Sequence, residues 1–273
     1  MSDYAEWIGR AIERSEPVTE RMIEHFRVTL AGTRASLDVL PGFHWCLAPD
    51  AVEPQDFGRD GHPRTGIYLP ALPLPRRMWA GGEVVWHGNL AQGEIVKRIS
   101  TIRDVTFKQG RSGQLGFVTV DHAYEVDGEV RISDRQDIVY RDDPKPGAAP
   151  AAAPAEAWQA LRSWRITPTP TLLFRYSALT FNGHRIHYDQ PYVTEVEGYD
   201  GLVVHGPLQS TWMQNLATDI LGRLPASFAY RGLSPLTVGR PVTVEAREVE
   251  GGLEMRVRRD EDGVVTMQGT ITA

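Results

Sequence analysis

From Asp142 to Ala155 the chain reads Asp-Asp-Pro-Lys-Pro-Gly-Ala-Ala-Pro-Ala-Ala-Ala-Pro-Ala, four prolines among small residues. Such a stretch buries no core and favours extended chain. At about 3.1 Å per residue it can cross a whole domain. Both of its flanks carry the same grammar of short strands and glycine turns. Val84-Val-Trp-His-Gly-Asn-Leu-Ala-Gln-Gly93 is answered by Ser227-Phe-Ala-Tyr-Arg-Gly-Leu-Ser-Pro-Leu-Thr-Val-Gly239. Asp127-Gly128 and Glu261-Asp-Gly263 mark matching hairpins. A pattern repeated across a crossing linker implies two related domains side by side. The expected division is a domain over 1–142, a linker over 143–163 and a second domain over 164–273.

The strand candidates are runs rich in Val, Ile, Thr and aromatics. In the first half they are Glu83–His87, Ile95–Ile102, Leu115–Tyr124 and Val130–Tyr140, read as an antiparallel meander. In the second they are Val242–Ala246, Gly252–Arg258 and Val264–Ile271. Ser2 to Arg14 reads as a helix, with Tyr4, Trp7, Ile8, Ala11 and Ile12 sharing a face. Thr19 caps a second helix that carries Met22, Ile23, Phe26 and Leu30 and closes at Gly32. From Pro41 to Pro75 no period holds, and so long a stretch is usually functional or mobile. One long amphipathic helix stands out. Leu208, Trp212, Leu216 and Ile220 recur every four residues, Pro207 suits the first turn and Gly222 the end.

Composition narrows the function. The 273 residues carry a formal charge of −6, which argues against nucleic acid as the main partner. A single cysteine, Cys46, excludes an intramolecular disulfide and a cysteine-rich zinc site. The start shows no signal peptide and no apolar run approaches a membrane span, so a cytoplasmic address is expected. No Gly-x-Gly-x-x-Gly loop is present, so no redox cofactor is implied.

Chemistry concentrates in Phe181-Asn182-Gly183-His184-Arg185-Ile186-His187-Tyr188-Asp189 and in His205-Gly206 ahead of the long helix. Neutral imidazole accepts a proton near pH 7. A helix-opening glycine offers free N–H groups and a partial positive charge to a developing oxyanion. The plainer readings are structural histidines and a glycine needed only for the turn. A metal reading of His184 and His187 lacks an evident third ligand.

His187-Tyr188-Asp189 followed about eighteen residues later by His205-Gly206 resembles the signature of the (R)-specific enoyl-thioester hydratases and dehydratases of the MaoC-like hot-dog fold. The wording around Asn182 and the run Leu72-Pro-Leu-Pro-Arg-Arg-Met-Trp-Ala-Gly-Gly82 are similar to the branch of mesaconyl-C4-CoA hydratases and fungal mitochondrial type 2 dehydratases. The resemblance implies an α+β double hot-dog of two antiparallel sheets. The long central helix is kept in the C-terminal half and lost or shortened in the N-terminal half, leaving room for an acyl chain. The N-terminal domain then binds substrate and CoA, and the C-terminal domain is catalytic.

The resemblance also implies the reaction: reversible addition of water to the double bond of an enoyl-CoA, with CoA part of the substrate. Asn182 stands where the family usually has its catalytic Asp. An amide orients water but takes no proton from it. His187 is therefore the expected sole base, with Asn182 fixing water or imidazole and His184 a second proton-transfer group. Gly206 is the expected oxyanion donor, His205 a support and Asp189 a brace. A dicarboxylic acyl group needs a cation, for which Arg76, Arg77, Arg175 and Arg185 are candidates, the Arg76-Arg77 loop first; a solvated basic pair is the alternative there. The chain is expected to be a monomer, its halves already forming the hot-dog pair, or a homodimer. A thioesterase would want a carboxylate early in the central helix, and Asp219 comes too late. A non-catalytic thioester-binding subunit is the other rival.

Overall fold

The computed structural model describes residues 4–110, 113–143 and 153–273. Ten strands form one sheet in the order β1-β3-β4-β5-β2-β7-β10-β9-β8-β6. In the N-terminal half they are β1 (Ala11–Pro17), β2 (Arg76–Trp86), β3 (Ile95–Gly110), β4 (Gly113–Val126) and β5 (Glu129–Arg141). In the C-terminal half they are β6 (Arg162–Ile166), β7 (Ser227–Gly232), β8 (Val242–Val249), β9 (Gly252–Arg259) and β10 (Val265–Thr272). Read inward from the two edges, each strand meets the one numbered five higher: β1 with β6, β3 with β8, β4 with β9, β5 with β10, β2 with β7. This is the repeat that the turns announced. The two expected sheets are joined edge to edge, since β2 pairs β7 antiparallel from Gly81↔Arg231 to Val85↔Ser227.

Glycine is required at that seam. A Cβ on Gly81 would meet the Tyr230 carbonyl oxygen at 2.6 Å. One on Gly82 would be wedged between the Arg135 carbonyl and the Tyr230 ring. The meander is real for β3, β4 and β5. The first strand read from sequence departs from it, for β2 pairs β5 and not β3. Asp127 and Gly128 both take positive φ, 52° and 82°, the backbone that a two-residue hairpin demands.

The expected N-terminal helix is a correction. Among the described residues of that stretch only Ala5–Trp7 makes a helical turn, and Ala11–Pro17 is a strand paired with β3 from Ala11↔Thr101 to Pro17↔Ile95. Gly9 at φ 85° ends the turn, and its N–H donates to the Ile102 carbonyl. The proposed Ser2 cap lies outside the described residues, as does the linker from 144 to 152.

Helix α1 (Glu20–Thr29) starts at Thr19, whose Oγ1 accepts the Met22 N–H at 3.3 Å, and it buries Ile23 and Phe26. Helix α2 (Pro170–Leu179) leads into the histidine-rich loop. Helix α3 (Gly206–Leu221) ends at Gly222 in left-handed backbone. Its burial exceeds the amphipathic expectation: every residue from Leu208 to Thr218 is buried. The polar face is covered by the N-terminal half at Asn215 and by β10 at Gln209. Asn215 accepts the Ala35 N–H at 3.0 Å and donates to the Pro41 carbonyl at 3.1 Å. Gln209 accepts from Thr266 at 2.6 Å.

No second long helix occurs in the first half among the described residues. The stretch from 41 to 75 is nonetheless packed. Phe43 to Ala48 are all buried, in and beside a short turn over Phe43–Cys46. Among the described residues no helix is long and apolar enough to cross a membrane.

Candidate active site

The loop after α2 is shaped by its own polar groups. Phe181 takes φ 50°, reversing the chain, and the Asn182 N–H donates to the Ser177 carbonyl at 2.8 Å. The Asn182 side-chain oxygen accepts the His184 N–H at 2.9 Å. That side chain therefore braces the loop. A turn over Arg185–His187 follows and buries His187. Asp189 accepts from Arg185 at 2.9 Å and from the Tyr192 N–H at 3.2 Å. The Arg185 hydrogen bond, then that from Tyr192, holds its carboxyl below the usual range.

His187 is fixed in one tautomer. Its Nδ1 faces the Val203 carbonyl at 2.7 Å, an acceptor that fixes the proton there and leaves Nε2 as a free base. Burial pushes its pKa down to about 3, opposed by the Val203 hydrogen bond, so the ring is neutral at pH 7. The ring stacks on His205 with centroids 3.6 Å apart. His205 is held in turn by Ser177, Nε2 to Oγ 2.8 Å, and precedes Gly206 in the chain. The N–H of Gly206, first of the helix, has no acceptor within it. The stacked His205 ring thus lies against His187, and the next residue along the chain, Gly206, opens the helix. Trp79 of β2 covers the helix start: a Cβ on Gly206 would lie 2.5 Å from its Cε3.

The arginines divide. Arg76 is almost fully buried and ion-paired with Glu197, Nε to Oε2 2.6 Å. It belongs to a strand, where sequence placed it in a loop. Arg77 binds Asp60 at 3.2 Å and the Pro63 carbonyl at 2.6 Å. Arg185 is taken by Asp189 and the Arg59 carbonyl. Arg175 is exposed on α2. A cavity of about 370 Å³ opens beside Arg77, lined also by Arg59, Asp60, Arg64, Leu72 and Tyr140.

Sequence reasoning missed the contribution of residues 58–64. This loop docks on the histidine loop. The Arg185 N–H donates to the Asp60 carbonyl at 2.8 Å, and a Cβ on Gly61 would collide with the Gly183 carbonyl. His62 Nδ1 lies 3.3 Å from Asp60 Oδ2, and its ring is 4.3 Å from that of His184. His184 in turn meets His187 edge-on at 5.3 Å. The signal available was an Asp-Gly-His triplet inside an aperiodic stretch. Ligand atoms of Asp60, His62 and His184 lie within 4.8 Å of one another, so the third metal-ligand candidate absent from the local sequence exists in space. The Arg77 guanidinium, on the same carboxylate oxygen, opposes a dication there and favours a hydrogen-bonded pair.

Comparison with known proteins agrees with this architecture. The profile of the family described as hydroxyacyl-thioester dehydratase type 2 matches residues 42–238. The chain is 35% identical over 274 aligned residues to the mesaconyl-C(4)-CoA hydratase of Chloroflexus aurantiacus, covering 99% of this chain and 98% of that protein. It is 28% identical to the mitochondrial hydroxyacyl-thioester dehydratase type 2 of Schizosaccharomyces pombe, over 75% of this chain and 76% of that one. Among solved structures, HtdX of Mycobacterium tuberculosis superposes with a TM-score of 0.70 at 16% identity, over 96% of this chain and 99% of that one. Another Mycobacterium tuberculosis protein, described as having a double hot-dog fold, gives 0.58 at 14% identity, over 97% of this chain and 96% of that one. The chain belongs to the hydroxyacyl-thioester dehydratase type 2 family, built as a double hot-dog.

Proposed function

We propose that the chain is a hydro-lyase that adds water reversibly across the α,β double bond of an enoyl-CoA. The substrate of choice is a branched C5 dicarboxylic acyl-CoA such as mesaconyl-C4-CoA, giving citramalyl-CoA. The observation that carries the reading is the neutral His187, its Nδ1 held by the Val203 carbonyl so that Nε2 is the basic nitrogen, with its ring stacked on His205 just ahead of the helix-opening Gly206. Water oxygen bonds C3 while Nε2 takes its proton. The π electrons move onto the thioester oxygen, where the Gly206 N–H holds the charge, and the proton is then delivered to C2.

The similarity to the Chloroflexus hydratase along the whole chain supports the acyl group. Arg59, Arg64 and Arg77 line the cavity, ion-paired with Asp143, Asp56 and Asp60 in turn, so a second carboxylate of the substrate competes with these partners for its cation. In this reading residues 1–142 bind acyl group and CoA, and residues 164–273 carry the base. No separate cofactor is invoked, and the active species is a monomer or a homodimer in the cytoplasm. The family's own description favours a second reading, a 3-hydroxyacyl-thioester dehydratase of fatty-acid metabolism.

The test is loss of enoyl-thioester ultraviolet absorbance over a panel of enoyl-CoAs, with free thiol measured in parallel. A hydratase consumes the absorbance and releases no CoA. His187→Ala is expected to lower kcat by roughly 10²–10⁴-fold. Near-normal turnover in that variant refutes the assignment, and stoichiometric thiol release would make the protein a thioesterase. A preference for straight-chain substrates would select the second reading.

A further inference from the structure

The one carboxylate of the histidine loop, Asp189, is taken by Arg185 and by the Tyr192 N–H. Asn182 can take no proton from water, and its one acceptor oxygen is already engaged by the His184 N–H. What the C-terminal half lacks, the N-terminal half brings. Asp60 accepts the His62 backbone N–H at 3.1 Å through Oδ1, and its Oδ2 lies 3.3 Å from His62 Nδ1. Arg77 anchors the same carboxylate at 3.2 Å and, through the Pro63 carbonyl, the loop itself. A carboxylate on Nδ1 fixes the proton on that nitrogen and leaves Nε2 free to accept. This repeats the device that Val203 applies to His187.

The loop's position is fixed from both sides. Gly61, at φ 86°, packs so closely on the Gly183 carbonyl that no side chain fits between them. The result is a row of rings: His62 is 4.3 Å from His184, and His184 is 5.3 Å from His187. His62 keeps part of its side chain open to solvent, and Asp60 lines the neighbouring cavity.

We propose that His62, held in its tautomer by Asp60, is the second acceptor for the attacking water, supplied by the N-terminal half in place of the carboxylate that residue 182 lacks. The inference rests on the hydratase reading. In it His187 removes one proton of the water and passes it to C2, while His62 holds the other proton, which stays on the new hydroxyl. No net proton is gained or lost by the protein. His62 is a catalytic residue in this scheme and Asp60 a positioning residue.

The test compares His62→Phe, His62→Gln and Asp60→Asn with the parent chain in the absorbance assay. Folding is checked by near-ultraviolet circular dichroism, with His187→Ala as reference. His62→Phe is expected to lower kcat by roughly 100-fold with KM within about threefold of the parent. His62→Gln, which retains an acceptor oxygen, is expected to recover part of that loss. Asp60→Asn is expected to lower kcat by roughly 10–100-fold with KM little changed.

It should also move the acid limb of kcat/KM. His62 faces Asp60, Arg77, His184, His187 and Asn182. Removing the one anion among these disfavours the imidazolium, so the limb shifts to lower pH, which a merely structural role would not do. Folded His62→Phe and Asp60→Asn proteins that keep more than half of kcat, while His187→Ala is inactive, would overturn this proposal and leave the hydratase reading intact. An active His187→Ala protein would instead overturn the reading beneath it. Loss of parental activity on chelation, restored by zinc, would give Asp60, His62 and His184 to a metal and also overturn the proposal.

Discussion

The fold buries histidines that must stay neutral, and this makes stability acid-sensitive in a calculable way. Burial pushes His44 down to about 3, helped by His122 nearby, and pushes His187 to about the same value. Unfolded, each titrates near 6.5. Below that pH the unfolded chain takes up protons that the native state refuses. The stability these rings contribute is therefore full above about pH 6.5 and is lost as pH falls toward 3. From pH 7 to 5 each costs about 2 kcal/mol, about 4 together. Asp134 acts in the opposite sense. Burial raises its carboxyl to about 6 against the hydrogen bonds from Gln136 and Trp45, so the native state takes a proton first. That returns about 1 kcal/mol over the same range.

The net loss is about 2–3 kcal/mol before His122, His184 and His205 are counted, and burial shifts all three in the destabilising direction. Against a typical total of about 5–15 kcal/mol this is large. Urea unfolding followed by tryptophan fluorescence at pH 7, 6 and 5 measures it, and thermal scans should show Tm falling by at least about 5–10 °C. His44→Phe, which removes one proton-binding site of the unfolded chain, should lower the pH dependence by about 2 kcal/mol. Unfolding free energy that is flat within 1 kcal/mol from pH 7 to 5 would refute the reasoning, as would a slope untouched by His44→Phe.

Two further outcomes follow from contacts between the halves. Glu197→Gln leaves the buried Arg76 without its countercharge and weakens the bond from the Tyr192 hydroxyl, 2.8 Å long in the parent. It should cost about 3–5 kcal/mol in urea unfolding at pH 7, and adding Arg76→Met should recover much of that. A double variant as unstable as the sum of the singles would contradict the pairing. Gly206→Ala puts a methyl 2.5 Å from Trp79 Cε3, so the indole must move. Turnover should fall roughly 10-fold or more while CoA release stays nil, and Trp79→Leu in the same chain should restore part of it. Full activity in Gly206→Ala would show that the indole yields freely.

The legible parts of the fold were those specified locally. Helix α3 was visible because apolar residues recur at its own period between Pro207 and Gly222. The Asp127-Gly128 hairpin was visible because its backbone needs residues that tolerate positive φ. Ala11–Pro17 was misread because an edge strand with little burial carries no alternation of its own, and its identity comes from the ladder to β3. The buried polar face of α3 was invisible for the same reason. Its partners Ala35 and Pro41 are 180 and 174 residues away from Asn215. In the site, the His187 and His205-Gly206 grouping lay within one short span. Asp60 and His62 were hidden, because nothing local tells an aperiodic segment which loop it docks on.

The duplication explains why this molecule has one site of this kind and not two. Strands of the two halves correspond one to one, so each half could in principle present a helix start to the other. Only the C-terminal half keeps α3 and with it the free amide of Gly206. In the N-terminal half the corresponding stretch collapses into the packed turn Phe43–Cys46, where His44 and Trp45 face Asp134 under the sheet. A polar cluster remains there, but among the described residues no long helix aims donors at it. Without that helix, residues 49–67 bury no side chain fully, while Leu72 and Leu74 beyond them still join a core cluster. It is this segment that reaches across to lay Gly61 on Gly183 and to set His62 beside His184. In the proposed scheme this asymmetry is itself a device: one half forgoes a helix start of its own, and the released segment supplies His62 to the histidine loop of the other.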